Sequence, residues 1–243
     1  LFNQITTYKD SGDQLKAAQY GEAQALSAEG KYDEAIALFS ALGSYKKSGT
    51  ELQKNQYLKA GELLSAKDWD GAEALYAALG NYADSETRHK AAVYGQAEAA
   101  LAAGEQDRAL TLFSSLGDYS DAADRVRQCQ YEDALALAAA GKTQEAAEMF
   151  ASLGEYGDAS TQMKRLYYAL AVSAEDSKQT LLAARMYALA GDYEDAADKS
   201  SAAYDAYYKT PAETAQQAMS DGEYALVVTL LGNMDLTELP AQY

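Results

Sequence analysis

The sequence predicts an all-α fold, an α-solenoid of helical hairpins, and three observations carry that prediction. The line GKYDEAIALFSALGSYKKS at positions 30–48 returns four more times at a step of 37 residues, and a fixed period of about 20 to 50 residues marks stacked supersecondary units. The hydrophobic content is dominated by Ala and Leu, with 20 Tyr against 4 Phe, which favours helices over strands. The only prolines, Pro211 and Pro240, lie near the C-terminal end, so the body of the chain has no proline breakers.

The elements follow in order. Leu1, Phe2 and Tyr8 are in register with Leu38, Phe39 and Tyr45, so residues 1–9 read as the remnant second helix of a truncated repeat, and the chain as a fragment of a larger protein. Repeats then span 10–45, 47–82, 84–119, 121–156 and 158–193, and an atypical C-terminal cap spans 195–243. Each repeat is expected to hold a first helix of about 19 residues and a second of about 12, both within the ordinary length range. In the first helix, Tyr20, Tyr57, Tyr94, Tyr131 and Tyr168 form a tyrosine column. Ala23, Ala60, Ala97, Ala134 and Ala171 form an alanine column three residues later. Small residues at one helical position allow two helices to approach closely, and the tyrosine supplies bulk beside them.

The turn within the hairpin carries Gly30, Gly104 and Gly141, with Lys67 and Lys178 in the other two repeats. The second helix places Ala35, Phe39 and Leu42, and their counterparts in later repeats, on one face at spacings of four and three, which makes a core stripe. It ends at Gly43, Gly80, Gly117, Gly154 and Gly191, where a left-handed stop is expected. Asp84, Asp121, Asp158 and Asp195 follow, able to accept from free backbone amides at the next helix start. Asp33, Asp70 and Asp107 are expected to begin the second helices in the same way. In the cap, Tyr207 to Pro211 interrupt the first helix, with Thr210 as N-cap and Pro211 in the first turn of a restarted helix. A final helix over 224–231 ends at Gly232.

The segment GKYDEAIALF resembles the turn and second helix of a tetratricopeptide repeat: a glycine, an aromatic two residues on, Ala three further and an aromatic four later. The resemblance covers nearly the whole chain and implies a right-handed solenoid that presents binding surfaces, with the first helices lining a concave groove. The pattern departs from that family in its 37-residue unit, against 34, in lacking a closing proline, and in carrying LG-x-Y-x-D-S. Similar longer units occur in proteins of Gram-positive gut bacteria, so the resemblance implies a bacterial parent protein, extracytoplasmic if it follows them. The Lys and Asn clamp of peptide-carboxylate binders in the family has no counterpart here.

A formal charge of −17 argues against nucleic acid and anionic membranes, both of which need Lys and Arg to neutralise phosphate. A basic or neutral protein or peptide partner fits better, although acidity also keeps a rod soluble. One cysteine, Cys129, excludes an intrachain disulfide framework and a CxxC metal site. No apolar run reaches the roughly 18 to 20 residues of a membrane span, so no direct membrane insertion is expected.

The best binding candidate is a basic column, Lys16, Gln53, Lys90, Arg127 and Lys164, one helical turn before the tyrosine column. Together Lys16, Tyr20, Tyr57, Lys90, Tyr94, Arg127, Tyr131, Lys164 and Tyr168 form a groove whose cations would meet acidic peptide residues. The alternative is structural: tyrosines as core wedges, with basic stems lying over them and paired to Asp of an adjacent unit. His89 shares the apolar column of Leu15, Leu52, Val126 and Met163, and Cys129 that of Ala18, Ala92 and Leu166, so both read as packing residues. No nucleophile and base motif, phosphate loop or metal-ligand spacing is present, and no catalytic residue, metal or cofactor is expected. The function expected is a non-enzymatic protein or peptide interaction scaffold, with a structural spacer or stalk as the alternative.

Overall fold

The structure, a computed structural model, describes residues 10–237; the expected remnant helix at 1–9 and the end of the cap at 238–243 lie outside the described residues. Every regular element is helical and no strand occurs among the described residues. The chain divides into two compact units, 1–126 and 127–243.

In the first unit, α1 (Ser11–Ala28), α2 (Tyr32–Leu42), α3 (Ser48–Ser65), α4 (Trp69–Leu79), α5 (Ser85–Ala102) and α6 (Gln106–Leu116) pack each on the next. The division falls within α7 (Ala122–Ala139). The second unit continues with α8 (Thr143–Leu153), α9 (Ala159–Asp176), α10 (Thr180–Ala190) and α11 (Ala196–Tyr204). A π-helical turn at Asp205–Lys209 leads into α12 (Thr210–Ser220) and α13 (Tyr224–Gly232). Long helices of 18 residues thus alternate with short ones of 11 through α10. No described helix is long and apolar enough to cross a membrane.

The core is made by the two stripes read from the sequence. Ala23, Ala60, Ala97, Ala134 and Ala171 are fully buried, as are Ala35, Ala72, Ala109 and Ala146. Phe39, Tyr76, Phe113, Phe150 and Tyr187 are at most 1% exposed, and removing such a ring from water contributes about 1.5 to 3 kcal/mol. Each first-helix tyrosine lies edge-on to that ring: Tyr94 to Phe113 at 5.5 Å, Tyr131 to Phe150 at 5.4 Å, and Tyr168 to Tyr187 at 5.4 Å. The tyrosine of LG-x-Y closes a trio, as with Tyr20 and Tyr45 at 6.1 Å. Edge-to-face rings satisfy the aromatic quadrupole while filling the groove left by the alanines.

The two kinds of turn differ from the expectation. Left-handed helix stops are found within the hairpins, at Gly30, Lys67, Gly104, Gly141, Lys178 and Gly222, with φ between 60° and 79°. There the amides of Lys31 and Gly30 bond the carbonyls of Leu26 and Ser27, a Schellman arrangement. The LG glycine is not a left-handed stop: Gly43 has φ 56° and ψ −116°. That is the first central position of a type II′ turn, closed by Tyr45 N to Leu42 O at 3.1 Å, where a Cβ would be strained. A second turn follows at once, closed by Ser48 N to Tyr45 O, with Lys46 at φ 48°. Two turns in succession reverse the chain between repeats without a capping side chain.

The cap also departs from expectation. Thr210 is not an N-cap: Lys209 and Thr210 both have helical backbone angles, and the path from α11 to α12 is unbroken. Pro211 removes one backbone donor and crowds the preceding turn, and the helix widens into a π turn just before it. The wide turn directs Tyr207 and Tyr208 at one residue. Tyr208 donates to the carbonyl of Asp235 at 2.7 Å, and Tyr207 Oη accepts from its amide at 2.9 Å. The Asp235 carboxylate pairs with Arg185 of α10 at 3.2 Å.

Candidate functional site

In the first unit the tyrosine column meets the next first helix through carboxylates. Tyr57 of α3 donates to Asp84 Oδ1 at 2.5 Å, and Tyr94 of α5 to Asp121 Oδ1 at 2.6 Å. In the second unit Tyr131 donates to Asp158, and Tyr168 to Asp195 at 2.7 Å. Asp84, Asp158 and Asp195 do not cap their helices through side-chain bonds to backbone amides as expected. At Asp84, ψ is 26° rather than the extended value a capping side chain needs, so the carboxylate turns toward the tyrosine instead. Asp33 and Asp70 likewise sit in the first turns of α2 and α4, accepting from Lys59 at 2.7 Å and Gln96 at 2.9 Å.

A polar donor four residues on completes each latch. Arg88 bonds Asp84 through Nε at 2.9 and 3.0 Å and lies 5.3 Å from the Tyr57 ring. Arg125 pairs with Asp121 at 3.3 Å and Gln162 donates to Asp158 at 2.9 Å. Lys199 lies 3.5 Å from Asp195 and 3.0 Å from the Tyr168 hydroxyl. This column, 88, 125, 162 and 199, escaped the sequence reading. Its signal is an acid followed at the fourth residue by a long donor, an i,i+4 pair on a helix, with Lys47 and Glu51 as the one reversed case. There, Lys46 Nζ lies 5.0 Å from the Tyr20 ring centre.

The electrostatics follow from these bonds. The Tyr57 hydroxyl holds the Asp84 carboxyl below its ordinary value, and Asp121 and Asp158 are lowered by Tyr94 and Tyr131 in the same way. Reciprocally, each carboxylate raises its tyrosine. At Tyr168 the Lys199 ammonium opposes the rise, but Asp195 and burial outweigh it. Burial and then Glu175, 2.7 Å away, push Tyr187 up to about 12.

The candidate groove residues are placed as follows. Tyr20 is buried, and Tyr57, Tyr94, Tyr131 and Tyr168 are half-buried. Lys16, Lys90 and Arg127 are exposed, and Lys164 is half-buried. The Arg127 guanidinium stands 6.0 Å from the Tyr156 ring, and Lys164 Nζ lies 2.5 Å from Asp192 Oδ1. The cations over Tyr20, Tyr57 and Tyr168 are Lys46, Arg88 and Lys199. The basic column one turn earlier does not supply them: each ring lies edge-on within its own hairpin, and the hydroxyls of Tyr57, Tyr94, Tyr131 and Tyr168 reach the following first helix.

His89 sits between α5 and α4, half-exposed, with Nε2 3.2 Å from Glu73 Oε1. Cys129 is buried. A cleft beside Trp69, of about 250 Å³, is walled by Lys67, Asp70, Gln96 and Arg108, smaller and more charged than an ordinary small-molecule site. Compared with known proteins, the chain matches no family model and no curated relative.

Proposed function

We propose that the chain is a non-enzymatic interaction scaffold built from tetratricopeptide-like repeats in a right-handed solenoid, binding a protein or peptide partner on the faces of its first helices. The observation that carries this reading is the disposition of the basic column. On an acidic chain, Lys16 and Lys90 in the first unit and Arg127 in the second stand exposed, while the recurring aromatics and carboxylates beneath are consumed in holding the repeats together. Exposed cations recurring along the first helices suit an acidic or aromatic peptide.

A second reading, a structural spacer that projects another domain, draws on the latches themselves. Four of the five tyrosine hydroxyls and the Lys164 ammonium are committed within the chain, as a stiff stalk needs. Affinity capture with the chain and with its Lys16→Ala, Lys90→Ala, Arg127→Ala and Lys164→Ala quadruple variant separates the two. A binding scaffold captures partners that the variant loses; the same set of captured proteins from both removes the basic column and leaves the spacer.

A further inference from the structure

The cleft beside Trp69 lies wholly within the first unit, between the start of α4, the second half of α5 and the start of α6. Trp69 is the only tryptophan, and the helix beside it is adapted to hold it. Gly95 stands against the indole in the interior of α5, where a Cβ would come within 2.5 to 2.8 Å of Cδ2, Cε3 and Cε2. Those atoms lie at the fused bond of the indole, so the ring rests on the glycine by its face. At the same two positions other repeats carry Tyr32 with Leu58, Gln106 with Glu132 and Thr143 with Ala169. A glycine inside a helix weakens it relative to alanine, and here it seats a flat ring at the side of a cleft. The ring is half-buried, and the face away from Gly95 is the one on which a ligand can stack.

The rim of the cleft is polar, of both signs and only partly used. Asp70 accepts from Gln96 with Oδ1 at 2.9 Å, and Asp68 from the Gly71 amide with Oδ1 at 3.1 Å, which leaves the second oxygen of each carboxylate. Arg108 donates to Glu105 through one terminal nitrogen at 2.9 Å, which leaves its other N–H groups. The Lys67 ammonium and the Trp69 N–H meet no partner among the described residues. A cationic ligand would meet Lys67 and Arg108 here, and an anionic one Asp68, Asp70 and Glu105. A neutral ligand whose polar groups each donate and accept meets neither repulsion. The volume, about 250 Å³, is below the roughly 300 Å³ at which drug-sized sites begin, so it suits one ring and not a chain. A sugar ring has that chemistry: a face of C–H groups to lie on an aromatic ring, and an edge of hydroxyls that both donate and accept.

We propose that this cleft is a saccharide site, in which one pyranose ring stacks its C–H face on Trp69 and its hydroxyls bond Asp68, Asp70 and Arg108. The site is independent of the basic column and stands or falls separately from the scaffold reading.

Because Trp69 is the only tryptophan, its fluorescence reads the cleft directly. The probes are methyl α- and β-glycosides of glucose, galactose, mannose and N-acetylglucosamine, titrated into the 243-residue chain, with N-acetylarginine amide and N-acetylaspartate amide as charged controls. At least one glycoside is expected to change the emission saturably, while both charged amides leave it unchanged. Asp70→Ala and Arg108→Ala, both at exposed sites and both retaining wild-type helicity by circular dichroism, should each weaken that binding by about tenfold, the worth of a hydrogen bond to a charged group. No saturable response to any glycoside at the highest soluble concentration overturns the proposal. A charged amide that binds as well as the best glycoside also overturns it and makes the cleft a pocket for a peptide side chain. So does glycoside binding that either variant leaves unchanged.

Discussion

At the residue scale the backbone stores strain at named positions. Lys67 and Lys178 hold φ of 61° and 60° where three other repeats have glycine. A left-handed L-residue costs about 1 to 2 kcal/mol, offset by the about 0.5 to 1 kcal/mol of extra chain entropy that glycine loses on folding. Lys67→Gly and Lys178→Gly are therefore expected to raise stability by up to about 1 kcal/mol in urea unfolding. Gly117, at φ 58° and ψ −122°, points the other way: Gly117→Ala should cost about 1 to 3 kcal/mol. Equal stability of the alanine variant would show that the turn can relax to another type.

The latches belong to the same scale and set a pH window. Asp84, Asp121, Asp158 and Asp195 are lowered in the fold, so their contribution is present above the unfolded carboxylate value of about 3.9 and is lost as pH falls below it. Tyr57, Tyr94 and Tyr131 are raised, so their contribution is present below about 10 and is lost as pH rises through the folded value. Thermal stability should thus be flat between those limits and fall outside both. Tyr94→Phe should cost about 1 kcal/mol or less, the worth of one exposed hydrogen bond, and should flatten the alkaline fall. An unchanged alkaline limb in a variant lacking Tyr57, Tyr94 and Tyr131 hydroxyls would remove the latches from this account.

At the element scale, packing depends on small residues at fixed helical positions. Gly95 of α5 is one: a Cβ there would lie 2.5 Å from the ring of Trp69 in α4, well inside contact distance. Gly95→Ala must displace the indole, and since Trp69 is the only tryptophan, the displacement reads directly as a red shift of intrinsic fluorescence. A loss of about 1 to 3 kcal/mol is expected to accompany it, as for other overpacked contacts. An unshifted spectrum would mean that α4 and α5 part without moving the ring. Much of this scale was legible in the sequence. Phe39 and its counterparts, and Ala23 and its counterparts, declare themselves because a helix of fixed pitch puts every fourth or third residue on one face. The turns were legible only in part: glycine announces a positive φ, but whether ψ makes a left-handed stop or a type II′ turn depends on where the next helix goes. Gly43 and Gly30 look alike in the sequence and differ in the fold.

At the scale of the whole molecule, the charge of −17 makes self-repulsion a standing cost to folding. Raising salt from about 0.01 to about 0.15 M shortens the screening length from about 30 to about 8 Å, so the melting temperature should rise. A fall would mean that attractive pairs such as Lys59 with Asp33 and Arg125 with Glu98 outweigh the excess of like charge.

The candidate site was legible as residue types and illegible as partners. Tyr57 and Asp84 are 27 residues apart, and nothing local says that a hydroxyl on one helix will turn to a carboxylate at the start of the next but one. The reversed pair Lys47 and Glu51, at the positions of Asp84 and Arg88 one repeat later, puts no carboxylate at the place that meets the tyrosine column in the other repeats. The sequence by itself determined the helical class, the alternation of long and short helices, and which faces are core, because these follow from periodicity and side-chain volume, which act locally and repeat. Only the tertiary structure decided which polar groups are spent on the fold and which faces remain open. Val228 and Ala184 each lie in a short apolar helix; Ala184 is buried because α11 packs over it, with Ser200 donating to its carbonyl, whereas Val228 is exposed.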